Sequence, residues 1–299
     1  MLGRGGGALL ATAVIAAVTF LPVTLASAAT TCSFDAGTRI LSAGGDPDVG
    51  TNVSASPAAI TVNHLAGNGS SLVGCSGPGA TPANTDTVVV DHADPEPTTF
   101  SVNKPAAFAP GFTDEPLSPG EVEIEVDLGT GDDLFHVADG GLSNPNNWVL
   151  GTLGLDWNPG SLFGDVDIEV AGVEAYDMQP QAGDNVFTAQ GSSFAGDPVT
   201  EPLTYFGGPD IDHATGGDGP DEMGGYFGAD VLRGAGGADL LDGAAPPGPD
   251  KDRLLGGSGI DVLKAKDGRR DERLDCGPGK NSEEKVSRDL KKDPQPKSC

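Results

Sequence analysis

Six aspartates, Asp212, Asp221, Asp230, Asp239, Asp252 and Asp261, have the residue type and the spacing to act together. Asp221, Asp230 and Asp239 follow one another at intervals of nine, and Asp261 follows Asp252 by nine. Each has glycine shortly before it and, two positions on, an apolar residue in all but the first copy, where Ala214 stands. A carboxylate repeated at fixed period is a row of hard oxygen donors, which suits a cation such as Ca²⁺ and does not suit a soft metal. The overall charge points the same way. The chain carries 44 acidic and 17 basic residues, a net charge of −27. Residues 29–263 hold 36 of the acids and five of the bases, whereas 264–299 hold eight acids and eleven bases. So acidic a body excludes nucleic acid and anionic membranes as partners and favours a cation.

The elements that must position these aspartates are tandem nine-residue units. Gly216-Gly217-Asp218-Gly219-Pro220-Asp221-Glu222-Met223 aligns with Gly225-Tyr226-Phe227-Gly228-Ala229-Asp230-Val231-Leu232. Gly234-Ala235-Gly236-Gly237-Ala238-Asp239-Leu240-Leu241 and Gly256-Gly257-Ser258-Gly259-Ile260-Asp261-Val262-Leu263 continue the phase. "AAPPGP" at 244–249 absorbs four extra residues as a loop, and "DGRRDERL" is a worn copy around Asp271. Glycine permits the positive φ of a tight turn. The apolar residues Met223, Leu232, Leu241, Leu254 and Leu263 fall on short strands and point inward. One such residue per nine makes no core alone, but stacked units bury a continuous narrow one.

The segment at about 207–275 resembles the RTX, or haemolysin-type, calcium-binding repeat, G-G-x-G-x-D-x-U-x with U apolar. The resemblance implies an all-β fold, a parallel β-roll or β-helix solenoid with two repeats per coil. It implies two aspartate rows, Asp212, Asp230, Asp252 and Asp271 on one side and Asp221, Asp239 and Asp261 on the other. Backbone carbonyls of Gly217, Gly219, Gly228, Gly237, Gly257 and Gly259 would complete the Ca²⁺ shells. Carboxylates that repel without the ion would coordinate it when it is present, so binding and folding would be one event. Asp210 and Asp250 replace glycine at the fourth position and Ala214 is a small plug, so the outer copies depart from the pattern. Glu222 is expected to face solvent.

Upstream, residues 29–205 form an irregular β-rich region. "EVEIEVDL" (121–128) and "DVDIEVAG" (165–172) alternate apolar and acidic residues, as half-buried strands do. "GTGDDLFHV" (129–137) and "QAGDNVFTA" (181–189) fit the repeat phase, with Asp133 and Asn185 in the aspartate slot and Phe135 and Phe187 in the apolar slot. "NTDTVVV" (84–90) is a more eroded relative. This implies one elongated β-structure running into the repeats. With aromatics at 5%, a conventional sandwich core built on large rings is not expected. The order of "NTDTVVV", "FAPGF", "GTGDD", tandem repeats and "DCGPG" is similar to that of exported calcium-binding proteins of high-GC, actinobacterial-type bacteria.

Residues 1–28 read as a secretory signal peptide: Arg4, an apolar run at 8–21, and the small-residue triplet Ala26-Ser27-Ala28. The run is too short to span a bilayer, and no other stretch is long enough, so a secreted, extracellular chain without a membrane span is expected. Four cysteines in an oxidising compartment allow three pairings. Local pairs, Cys32 with Cys75 and Cys276 with Cys299, are favoured. The basic tail 276–299 leaves the repeat and is read as a disulfide-pinned cap over the open end of 206–275.

No G-x-S-x-G, H-E-x-x-H or P-loop occurs, and His64, His92, His136 and His213 are scattered. "DPDVG" at 46–50 fails as an EF-hand loop. The expectation is therefore a non-enzymatic Ca²⁺-binding protein with a structural, surface or adhesive role, meeting extracellular polysaccharide or cell-surface components. The rival reading is a calcium-stabilised carbohydrate-active enzyme whose catalytic site lies in 29–205.

Overall fold

The computed structural model describes residues 31–44, 50–56, 58–66, 69–72, 79–91, 97–103, 122–139, 146–157, 166–243, 251–266, 268, 270–278 and 285–299. All of its regular elements are strands. The first seven are β1 (Thr31–Asp35), β2 (Ile40–Gly44), β3 (Thr51–Ser56), β4 (Ala59–Ala66), β5 (Gly69–Leu72), β6 (Thr87–Asp91) and β7 (Thr99–Asn103). Next come β8 (Glu123–Asp127), β9 (Leu134–Ala138), β10 (Asn147–Gly151), β11 (Gly154–Asp156), β12 (Ile168–Ala171), β13 (Ala175–Gln179) and β14 (Val186–Thr188). The repeats supply β15 (Leu203–Gly208), β16 (His213–Thr215), β17 (Asp221–Tyr226), β18 (Val231–Gly236), β19 (Leu240–Asp242), β20 (Arg253–Ser258), β21 (Val262–Ala265) and β22 (Arg273–Asp275). The tail adds β23 (Lys285–Arg288).

Two sheets result. The first runs β1-β2-β6-β8-β12-β11-β10-β14-β16-β18-β20-β22, the second β23-β21-β19-β17-β15-β13-β9-β7-β3-β4-β5. From β12 onward the chain alternates strictly between them. Neighbours are parallel except β1–β2, β3–β4, β4–β5, β10–β11 and β11–β12. Each parallel strand therefore lies beside one two elements away in the repeats, and both sheets contain strands from 29–205 and from 206–275.

The register explains the core. Leu232 pairs with Leu254, and Leu254 with Leu274, in the first sheet. Met223 pairs with Leu241, and Leu241 with Leu263, in the second. Met223, Leu232, Leu241, Leu254 and Leu263 are all fully buried, as is Ala214. Burying each leucine contributes about 1.5–3 kcal/mol. Upstream, Val122, Ile124, Val126 and Leu128 bury one face, while Glu125 and Asp127 look outward.

Rings build part of this narrow interior, which is not the conventional sandwich core that the composition argues against. Phe100 stacks on Phe135 at 5.9 Å between centroids, Phe135 meets Tyr176 edge-on at 6.3 Å, and Phe187 stacks on Tyr205 at 5.0 Å. The aromatics are few but placed in register on neighbouring strands, so a narrow interior is filled by a handful of them. Ala214 pairs with Phe187, so its small side chain lies beside a large ring.

At the C-terminal end, β23 pairs with β21, and Lys297 bridges to Asp275 beside β22. The tail thus meets the last repeat strand of each sheet, β21 and β22. Cys276 and Cys299 form a disulfide with Cα atoms 5.1 Å apart. Cys32 is buried and disulfide-bonded; Cys75 lies outside the described residues, as do the signal segment, the loop 244–250 with Asp250, and His92. No helix among the described residues is long and apolar enough to cross a membrane.

Candidate metal centre

The short strands place each repeat aspartate at the start of a strand, with the side chain turned inward. Asp221 is the first residue of its strand, Asp212, Asp230, Asp239, Asp252 and Asp261 stand one residue before theirs, and Asp271 stands two before. Asp212, Asp221, Asp230, Asp239, Asp252, Asp261 and Asp271 are at most 3% exposed. Parallel stacking then sets like residues one above another in two rows.

In the first row, the Asp212 N–H donates to Asp230 Oδ1 at 2.8 Å, and the Asp230 N–H to Asp252 Oδ1 at 2.9 Å. The Asp252 N–H donates to Asp271 Oδ1 at 3.2 Å. In the second row, the Asp221 N–H donates to Asp239 Oδ1 and the Asp239 N–H to Asp261 Oδ1, both at 3.0 Å. Each carboxylate therefore satisfies the backbone of the unit before it. The two-row grouping is the one that the resemblance implies.

The other oxygen has a different neighbour. A Cβ on the glycine five residues earlier would stand 2.1 Å from Asp212 Oδ2 (Gly207), 1.9 Å from Asp221 Oδ2 (Gly216), 2.0 Å from Asp239 Oδ2 (Gly234) and 2.2 Å from Asp261 Oδ2 (Gly256). The first glycine of each unit is thus required by contact with the aspartate. The Gly217 N–H reaches Asp221 Oδ2 at 2.8 Å. Asp212 Oδ2, Asp239 Oδ2 and Asp261 Oδ2 are buried without a hydrogen bond. No lysine, arginine or histidine among the described residues pairs with Asp212, Asp221, Asp239 or Asp261; the ion pairs join other residues, such as Arg253 with Glu272 and Lys264 with Asp242.

Ionising such groups is unfavourable. Burial, reinforced by Asp230 and opposed by the Asn185 hydrogen bonds, raises Asp212 to about 7. Burial and the charge of Asp239 raise Asp221 to about 8. Burial, with Asp261 nearby, raises Asp239 to about 7, and burial also raises Asp261. Tyr205 is fully buried with its hydroxyl unpartnered, and burial followed by Asp212 and Asp230 pushes it well above the usual phenol range.

The glycines expected to offer carbonyls lie between stacked turns. Gly217 O accepts from the Gly236 N–H at 3.1 Å. Gly219 O faces Gly237, Gly237 O faces Gly259, and Gly257 O faces Gly277, each closely enough to exclude a Cβ there. Gly228 abuts Asp210 O and Asp230 Oδ1. The donors near the rows are carboxylate and carbonyl oxygens. Among the described residues no three or more His, Cys, Asp or Glu side chains gather into a metal-holding group. An ion here would therefore rest on one or two carboxylates and on carbonyls, a set that fits a hard cation. The unpartnered inner oxygens give it somewhere to bind.

The rows extend beyond the tandem repeats. Asn185 takes the aspartate slot above Asp212, as its spacing implies, and donates its N–H and Nδ2 to Asp212 Oδ1 at 3.0 and 2.9 Å. Asn146 donates to Asn185 Oδ1 in turn, at 3.0 Å from its backbone. Asp133 accepts the Thr98 N–H at 2.7 Å and gives its own N–H to Glu174 Oε2 at 2.9 Å. At the far end, Asp293 accepts the Asp271 N–H at 3.2 Å. Asn146, Glu174 and Asp293 carry no repeat signature, so spacing alone misses them. Glu222 and His213 are exposed, and His136 Nδ1 lies 2.9 Å from Asp177 Oδ2 on the adjacent strand.

Compared with known proteins, the chain matches no family model, no curated protein and no solved structure.

Proposed function

We propose that this is a secreted, non-enzymatic calcium-binding protein of the RTX-repeat type, a β-roll solenoid with a structural, surface or adhesive role. The observation that carries the reading is the buried carboxylates of the two rows, Asp212 in one and Asp221, Asp239 and Asp261 in the other, with no cationic side chain among the described residues paired to them. Strict alternation between two sheets supports the coil of two repeats. Asp212, Asp230 and Asp252 would hold ions along one side, Asp221, Asp239 and Asp261 along the other, with the repeat glycines' carbonyls. Bound Ca²⁺ would supply positive charge and oxygen coordination between successive units. The chain's own part is to bury the acids, to align them by parallel pairing and to keep their inner oxygens free of side chains through the first glycine of each unit.

Equilibrium dialysis of the mature chain against Ca²⁺, Mg²⁺ or Zn²⁺ alone tests this. Several Ca²⁺ per chain are expected, fewer in Asp221→Asn/Asp239→Asn, with Zn²⁺ the poorest ligand. Absence of Ca²⁺ uptake, or an unchanged count in the double variant, contradicts the reading. Export is tested by sequencing the N-terminus of protein from the culture medium, which is expected to begin at Ala29.

A further inference from the structure

The turns that lead from the second sheet to the first carry, in one place, side chains that the repeat does not need. Phe206, Tyr226 and Phe227 form one wall of a cleft of about 630 Å³, Gln179 and Gln181 line the other side, and Gly208 lies between. Tyr226 is 46% exposed and Phe227 40%. Phe206 and Tyr226 meet edge-on with centroids 5.6 Å apart.

The backbone makes these residues unexpected. In the other units the position of Tyr226 is held by Gly217, Ala235 and Gly257. Its φ is 72° at Tyr226, 78° at Ala235 and 113° at Gly257, whereas Gly217 lies outside the left-handed range. Glycine adopts this region freely, whereas a bulky aromatic does so rarely. Across the cleft, Gln181 also has a left-handed backbone, φ 66°. Its carbonyl would stand 2.0 Å from a Cβ on Gly208, which keeps the floor bare. A large side chain kept in a conformation that bulky residues rarely adopt points to a use for the side chain itself.

The chemistry of the lining selects the ligand. It contains no carboxylate, ammonium or guanidinium group, on a protein of net charge −27, and Asp184 and Asp210 stand exposed nearby. An anion would be repelled, and the wall holds no carboxylate to form an ion pair with a cation. Aromatic faces attract the polarised C–H face of a saturated ring, while amides exchange hydrogen bonds with hydroxyls. Gln179 Nε2 is held by Asp177 at 2.9 and 3.1 Å, which fixes that amide in place. We infer that this cleft binds a pyranose ring of a neutral polysaccharide, with Tyr226 and Phe227 as the stacking surface. None of the lining side chains belongs to the aspartate rows, but the cleft needs the repeats folded and so rests on the proposed function. The experiment is therefore run in saturating Ca²⁺, with Ca²⁺ uptake measured alongside.

Affinity electrophoresis of the mature chain tests it, in gels containing hydroxyethylcellulose, laminarin, galactomannan or dextran, with alginate as the anionic control. Retardation by at least one neutral polymer and none by alginate is expected. Tyr226→Gly relieves the backbone, so its thermal midpoint should equal or exceed the wild type while its affinity falls at least tenfold; Phe227→Ala should weaken binding similarly. No retardation by any of the four neutral polymers, retardation by alginate alone, or wild-type affinity in both variants would overturn the inference. A lower thermal midpoint for Tyr226→Gly with affinity unchanged would assign the tyrosine to packing and also overturn it.

Discussion

Asparagine at position 239 separates the two things that the aspartate does. Asp239 Oδ1 accepts the Asp221 N–H, and an amide oxygen can do the same. The charge is the costly part. The folded carboxyl is raised from 3.8 to about 7 by burial, with Asp261 contributing. The folded chain therefore keeps a proton that the unfolded chain has released, and without a cation stability falls as pH rises from about 4 through about 7. Treated as a single site, the raised carboxyl of Asp239 costs the fold about 4 kcal/mol at pH 8, where it is ionised, and about 2 kcal/mol at pH 5, where the fold must keep it protonated. These are ceilings, because neighbouring carboxylates titrate together. In EDTA the far-ultraviolet β-signal of Asp239→Asn should exceed that of the wild type, by an amount equivalent to a few kcal/mol at pH 8 and to less at pH 5. In saturating Ca²⁺ the gain should vanish or reverse, since the variant lacks a ligand. A variant destabilised in EDTA at pH 8, or a difference independent of pH, would refute the reasoning that this carboxylate is buried without compensation.

Other perturbations probe the frame. Leu241→Ala removes a fully buried side chain between Met223 and Leu263 and should cost about 2–5 kcal/mol in chemical unfolding. Gly234→Ala would push a methyl to 2.0 Å from Asp239 Oδ2 and should destabilise strongly, whereas Gly79→Ala, with nothing within 4 Å, should leave the melting temperature nearly unchanged. Replacing Cys276 and Cys299 by serine opens a link spanning 23 residues and should cost about 3 kcal/mol by loop entropy. Limited proteolysis should then cut first within 279–299.

The nine-residue period carried most of what could be read ahead of the structure. An aspartate followed two residues later by an aliphatic residue fixes which side chains turn inward, and the burial of Met223, Leu232, Leu241, Leu254 and Leu263 follows from it. The same phase marks Asp133 with Phe135 and Asn185 with Phe187, where the glycines have eroded but the in-out pattern survives. It fails where tertiary pairing replaces local pattern. Asp293 enters the first row because the tail folds back to Asp271, and Glu174 reaches the Asp133 N–H with a side chain one methylene longer than aspartate. The antiparallel excursion β10–β11–β12 is likewise silent in the sequence: Thr152 and Leu153 make a tight reversal without the Asn-Gly signal that usually announces one. Tyr226 is illegible for the opposite reason, since nothing in "GGYFGAD" shows that its tyrosine sits in a glycine conformation.

We propose that cation binding and ordering of the repeats are one event. Isothermal titration of the EDTA-stripped mature chain with Ca²⁺, followed in parallel by far-ultraviolet circular dichroism, measures both at once. The expected result is a cooperative gain of β-signal that saturates with the heat of several bound ions and weakens in Asp221→Ala and Asp230→Ala. A full β-signal in EDTA with no heat of Ca²⁺ binding would contradict the account, and the buried aspartates would then be structural acids that hold their protons.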